Sequence, residues 1–132
     1  MDVVIIVHTF VAWRTAWMNQ KDDEHKLERA IGLHNAGELD AAEALYREVL
    51  RAAPGHQTAL HLSGLIAHQQ GRYRDAVTLI ESALAGGATT AVIHTNCGVA
   101  YRALGELDQA ARHISWAIAL EPEYAEAHLN YA

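Results

Sequence analysis

Histidine is the side chain here with the most chemistry to offer, and there are nine in 132 residues. Imidazole ligates transition metals and titrates near neutral pH. A zinc site on one helix needs two ligands a single turn apart, completed by further histidine, cysteine or carboxylate. The spacing does not supply it. His61 and His68 are seven apart, two turns along one helix face, and no two histidines stand four apart. The histidines are therefore read as packing or surface residues, and no metal or cofactor is implied. His34 and His68 would lend a mild pH sensitivity near neutrality. The one cysteine, Cys97, precludes an intrachain disulfide and suits a reducing, cytoplasmic setting. Its place beside Gly98 on an apolar face reads as an inert buried thiol, not a nucleophile. Asp22, Asp23 and Glu24 read as a helix start, where acidic groups complement the dipole. No phosphate loop, nucleophile elbow or paired-carboxylate site is present, so no catalytic residue is assigned and no enzyme is expected.

The elements that position these residues follow from a period. Gly37, Gly71 and Gly105 sit 34 residues apart. At the same shift Ala30, Gly64, Gly98 and Ala132 align as small residues, and Ala42, Ala76 and Ala110 form an alanine column. Tyr46, Ile80 and Ile114 are the bulky partners, followed by the smaller Val49, Ala83 and Ala117. Internal repetition at this spacing marks a helical repeat array. Each unit reads as two amphipathic helices, A and B. The glycine ends helix A in a left-handed conformation, which costs glycine little. Gly64 and Gly98 lie mid-helix, a cost of about 1 kcal/mol each that close helix–helix approach would offset. Pro54 and Pro122 stop helix B. Between the second and third units Gly86-Gly87 does the same less rigidly, and that junction is expected to be the most adaptable. The units run 23–56, 57–90 and 91–124, with a partial fourth at 125–132. The fold class expected is all-α, an array of helix-turn-helix units.

Composition agrees: 51% hydrophobic residues suffice for a continuous core. A net charge of −6 without a basic cluster argues against nucleic acid as a partner.

The pattern resembles the tetratricopeptide repeat. The period, the small residue, the glycine seven residues later, the alanine five further on and the closing proline all match, over about 100 of the 132 residues. The departures are Lys26, Leu60, His94 and His128 in a column where the family often has tryptophan, and Ala88 in place of a proline. The resemblance implies a right-handed α-solenoid in which helix A of each unit lines a concave groove that binds a protein or peptide. By register the groove residues are Leu27, Glu28, Ile31 and His34; then Thr58, His61, Leu62, Leu65 and His68; then Val92, Thr95, Asn96, Val99 and Arg102; and Asn130 in the partial unit. Leu65 and Val99 suit the core equally well. Some members hold a peptide carboxylate with a clamp of lysine, arginine and asparagine. Here the clamp columns hold Leu27, Ile31, Leu62, Val92 and Asn96, so that clamp is absent. Arrays of O-linked N-acetylglucosamine transferases carry an asparagine ladder that bonds a peptide backbone. Asn96 and Asn130 occupy that column, while Glu28 and Leu62 do not. The groove is more apolar than polar, which favours an amphipathic helix or apolar strip as ligand.

The two ends fall outside the period. Residues 1–22 form an apolar segment in which Val3-Val4-Ile5-Ile6-Val7 precedes Phe10, Val11, Trp13, Trp17 and Met18. Asp2 replaces the basic start of a signal peptide, and Arg14 interrupts the run before it reaches membrane-spanning length. The segment reads as a helix capping the first unit, or as an arm that docks in a groove of its own or another chain. The partial fourth unit has a helix A without its helix B, which reads as a fragment of a longer protein or a unit completed by a second molecule. Two further functions stay open: the substrate-recruiting arm of a larger enzyme such as a glycosyltransferase, and self-assembly as a homo-oligomer through residues 1–20 or the open C-terminal face.

Overall fold

The computed structural model describes residues 3–87 and 89–124, with side chains from residue 11 onward. His128 and Asn130, the open C-terminal face and Ala88 lie outside the described residues. Among those described there are six complete helices and no strand: α1 Val3–Asn35, α2 Leu39–Ala52, α3 Gln57–Gln69, α4 Tyr73–Ala85, α5 Ala91–Leu104 and α6 Leu107–Leu120. Residues 122–124 are helical again. The all-α, helix-turn-helix expectation holds. No helix among the described residues is long and apolar enough to cross a membrane.

Each helix A ends as its glycine demands. Gly37, Gly71 and Gly105 have φ of 82°, 78° and 83°. At each, the residue after the glycine donates its N–H back across the turn: Glu38 to Leu33 O, Arg72 to Ala67 O and Glu106 to Tyr101 O. The glycine N–H bonds His34, His68 or Arg102 O in turn. This paired closure satisfies carbonyls that the helix end would leave bare. It then launches helix B within three residues.

The chain divides into two compact units, Met1–Ala52 and Ala53–Ala132. The first is the α1–α2 hairpin, closed around Ala30, Ala42, Tyr46 and Val49, all fully buried. The second holds two hairpins, α3–α4 and α5–α6, with α4 packed on α5. Its core joins Ala67, Ala76, Val77, Ile80, Ile93, Cys97, Ala100, Tyr101 and Ala110. The two mid-helix glycines sit where the helices of each hairpin cross. A Cβ on Gly64 would lie 2.6 Å from Ile80 Cγ1, and one on Gly98 would lie 2.7 Å from Ile114 Cγ1. The small and bulky columns of the repeat therefore interlock.

α1 corrects one reading. Asp22, Asp23 and Glu24 stand in the middle of a continuous 33-residue helix, not at its start. Nothing there interrupts the backbone hydrogen bonding: no proline precedes them, so the acidic run stays in mid-helix with its side chains mostly in solvent. Helix A of the first unit thus continues through residues 1–22 as far back as Val3. Val11–Gln20 are exposed along it, including Trp13 and Trp17. The Lys21 ammonium lies over the Trp17 ring, 5.3 Å from its centre.

At the end of α4 the Gln57 side-chain amide donates to Gly86 O, which ties the Gly86-Gly87 turn to the start of α3.

Candidate functional site

The register residues of α3 are Thr58, His61, Leu62, Leu65 and His68. Their spacing of three and four keeps them in one stripe. Val92, Thr95, Asn96, Val99 and Arg102 repeat that spacing on α5. In the second unit, α3 and α5 touch. The link is polar: Asn96 Nδ2 lies 2.9 Å from His61 Nε2. With the amide donating, His61 accepts through Nε2 and carries its proton on Nδ1. Burial lowers the His61 pKa and favours this neutral ring. Leu62, Leu65 and Val99 are half-buried beside the pair, and Thr58, Val92 and Arg102 are exposed.

Not every register residue faces outward. Thr95 is buried, and its hydroxyl has no hydrogen-bond partner. His68 is half-buried with its ring 5.2 Å from Tyr73, and its Nδ1 is also unpartnered. Burial, with the Arg102 guanidinium, lowers its pKa. In the first unit Leu27 and Ile31 are half-buried and Glu28 is exposed. His34 Nδ1 lies 3.4 Å from the Tyr46 hydroxyl.

The lowered pKa values of His61 and His68 carry a sign. Below about pH 6.5 the unfolded chain takes up protons that the folded chain resists, so stability present above that pH is lost as pH falls toward the depressed folded values. The melting temperature is expected to fall between about pH 6.5 and about pH 5.5. The double variant His61→Gln/His68→Gln should flatten that slope. An unchanged slope would assign the acid loss to other groups.

A second group of polar side chains lies inside the second unit, and it was not visible from spacing within any one helix. Glu81 on α4, Cys97 on α5 and His113 on α6 place one ligand atom each within 4.8 Å of one another. His113 Nε2 is 3.6 Å from Glu81 Oε1, and its Nδ1 is 3.2 Å from His94 Nδ1. The Tyr101 hydroxyl donates to Glu81 Oε1, and the Tyr101 ring stacks on His113 at 5.5 Å and 15°. Trp116 stands edge-on to His113, 5.2 Å away. Burial lowers the pKa of His94, helped by His113, and lowers that of His113 against the opposing Glu81 carboxylate. Burial and then Glu81 push the Cys97 thiol up to about 12. Spacing along single helices speaks against a zinc site, but that spacing does not register a group drawn from three helices. No column flags it: Cys97 and His113 each stand beside a column residue, Gly98 and Ile114, but the other repeats carry different residues at their positions.

A family model described as the tetratricopeptide repeat matches residues 27–90 and 98–132. No curated protein matches. Among solved structures, an O-GlcNAc transferase mutant from Thermobaculum terrenum is 31% identical with a TM-score of 0.74, over 77% of this chain and 20% of that one. A MamA segment from Desulfovibrio magneticus RS-1 is 24% identical with a TM-score of 0.75, over 86% and 65% of the two chains. The first repeat domain of Spaghetti, bound to an HSP90 peptide, is 18% identical with a TM-score of 0.77, over 84% and 90%. The chain thus spans a fifth of the transferase and just under two thirds of the MamA segment. The last two likenesses speak for the fold alone.

Proposed function

Because the chain belongs to the tetratricopeptide repeat family, we propose that it is a protein-interaction module whose α3–α5 face holds a peptide. The observation that carries this reading is the His61–Asn96 pair. One amide N–H of Asn96 goes to His61. Its second N–H and its carbonyl oxygen are then oriented and available to a ligand's backbone. Around the pair stand Leu62, Leu65, Val92 and Val99, which suit apolar side chains of that ligand. The Spaghetti domain was solved with an HSP90 peptide. Here the clamp columns hold Leu27, Ile31, Leu62 and Val92 beside Asn96, with no lysine or arginine, so the ligand proposed is an amphipathic helix or apolar strip with backbone contacts, not a terminal carboxylate.

Pull-down with the full chain, read by mass spectrometry, identifies the partner. Asn96→Ala and Leu62→Glu are then expected to weaken its binding by about tenfold or more each, the loss of one well-placed interfacial contact. Unchanged binding in both would place the interface elsewhere.

Two observations favour further readings. The 31% identity to the transferase supports a substrate-recruiting arm of a larger enzyme. Reading the parent gene past Ala132 tests it, and the absence of a transferase domain there ends it. The exposed Val11, Trp13, Trp17 and Met18 support self-assembly. Light scattering should then show a higher mass for the full chain than for one lacking residues 1–20. Two monomers at high concentration would sink that reading.

A further inference from the structure

We propose that Glu81, Cys97 and His113 bind one divalent transition-metal ion of the zinc type. The three residues offer a carboxylate, a thiolate and an imidazole, the donor set that zinc and its analogues favour. Their ligand atoms already lie within 4.8 Å of one another. The 3.6 Å between His113 Nε2 and Glu81 Oε1 is long for a hydrogen bond. It is close to the spacing of two ligands on one tetrahedral ion, roughly 3.3–3.7 Å for metal–ligand bonds of about 2.0–2.3 Å.

The surroundings are those of a built site. His113 presents Nε2 to the cluster, while its Nδ1 meets His94 Nδ1 at 3.2 Å. A proton on His113 Nδ1 donated to His94 fixes the tautomer that leaves Nε2 free to ligate. The stacked Tyr101 ring and the Trp116 edge hold the imidazole plane. The Tyr101 hydroxyl donates to Glu81 Oε1 and orients the carboxylate, and the second lone pair of that oxygen stays available to the ion. Glu81 is the solvent side of the cluster, its side chain 44% exposed, and water from that side completes four-coordination. Binding replaces the S–H bond of Cys97 by a sulfur–metal bond, and the proton leaves to solvent. The ion would join α4, α5 and α6, and so both hairpins of the second unit.

Cys97 is the one cysteine in the sequence, which gives the test a clean signal. The full chain, with its thiol confirmed as reduced, is titrated with cobalt(II) and back-titrated with zinc(II). The expected result is a thiolate-to-cobalt charge-transfer band that saturates at one ion per chain and is abolished by zinc. Zinc should also raise the melting temperature. Cys97→Ser should remove the band, and Glu81→Gln, at a half-exposed position, should weaken binding by about tenfold or more. If Cys97→Ser fails to fold by circular dichroism, the native band and Glu81→Gln decide. The absence of a charge-transfer band under excess cobalt overturns the site. So does a zinc-induced rise in melting temperature that is the same in Cys97→Ser, because the ion would then sit on other histidines.

Discussion

Gly64→Val is expected to destabilise the second unit by about 2–3 kcal/mol, as overpacking at a tight crossing does. For a domain of this size that is a fall of roughly 10–20 °C in melting temperature. The new Cβ would stand 2.6 Å from Ile80 Cγ1 and 3.2 Å from Ala76 O. The isoleucine has no room to retreat, since it is fully buried, and the carbonyl belongs to the backbone of α4. Gly98 repeats the arrangement with Ile114 Cγ1 at 2.7 Å and Ala110 O at 3.2 Å, so Gly98→Val should cost a similar amount. Gly32 is the control. A Cβ there meets nothing within 4 Å, and Gly32→Ala should stabilise α1 by about 0.5–1 kcal/mol through backbone entropy alone. Thermal melts of the three variants separate the cases. The double variant Gly64→Val/Ile80→Ala supplies the decisive number. It should be more stable than the sum of its single changes, because the smaller side chain removes the clash. Simple additivity would mean that Gly64 is not there to let the helices cross.

Those glycines also mark how far the sequence could be read. A period of 34 sorted residues into columns, and each column met one physical demand: Gly37, Gly71 and Gly105 the left-handed turn, and Ala42, Ala76 and Ala110 the close crossing. Such demands act within a hairpin and repeat with it, so they leave a trace at fixed spacing. Three features left none. The continuity of α1 depends on the absence of a breaker, and the acidic run at Asp22 imitated a helix start that the backbone did not use. Thr95 shares the stripe of Asn96 and Val99 yet is buried, because neighbouring helices cover part of that stripe. The Glu81, Cys97 and His113 cluster draws one residue from each of three helices, at positions where the other repeats carry different residues. Periodicity is blind to a feature that occurs once.

Tyr46→Ala should be the most damaging change in the first unit. Tyr46 is fully buried, and the fully buried residues around it, Ala30, Ala42 and Val49, are small. Removing the ring therefore leaves a hole that they cannot fill, at a cost of about 3–5 kcal/mol. One hairpin has little stability to spare, so α2 should lose its protection while α4 keeps it. Tyr46→Phe separates ring from hydroxyl. The hydroxyl sits 3.4 Å from His34 Nδ1, near the outer limit of a hydrogen bond, so its loss should cost less than about 1 kcal/mol. Hydrogen exchange, resolved by residue, checks both. Native-like protection of residues 39–52 in Tyr46→Ala would show that the ring does not hold the hairpin together.

The length of α1 has a thermodynamic meaning as well. At about 1.5 Å per residue its 33 residues span roughly 50 Å, against about 21 Å for the 14 residues of α2. More than half of α1 therefore has no counterpart in its own hairpin. Along that half, Trp13 and Trp17 project on one side and Val11 and Met18 on nearly the opposite side, all exposed. A helix in water without tertiary support is only marginally formed at such lengths. Winding this half and covering its aromatic rings are thus two descriptions of one equilibrium. A partner that covered the tryptophans would have to supply the ordering free energy, and so would bind less tightly than its contact area suggests. In solution, helicity at this end of the molecule would serve as a gauge of occupancy.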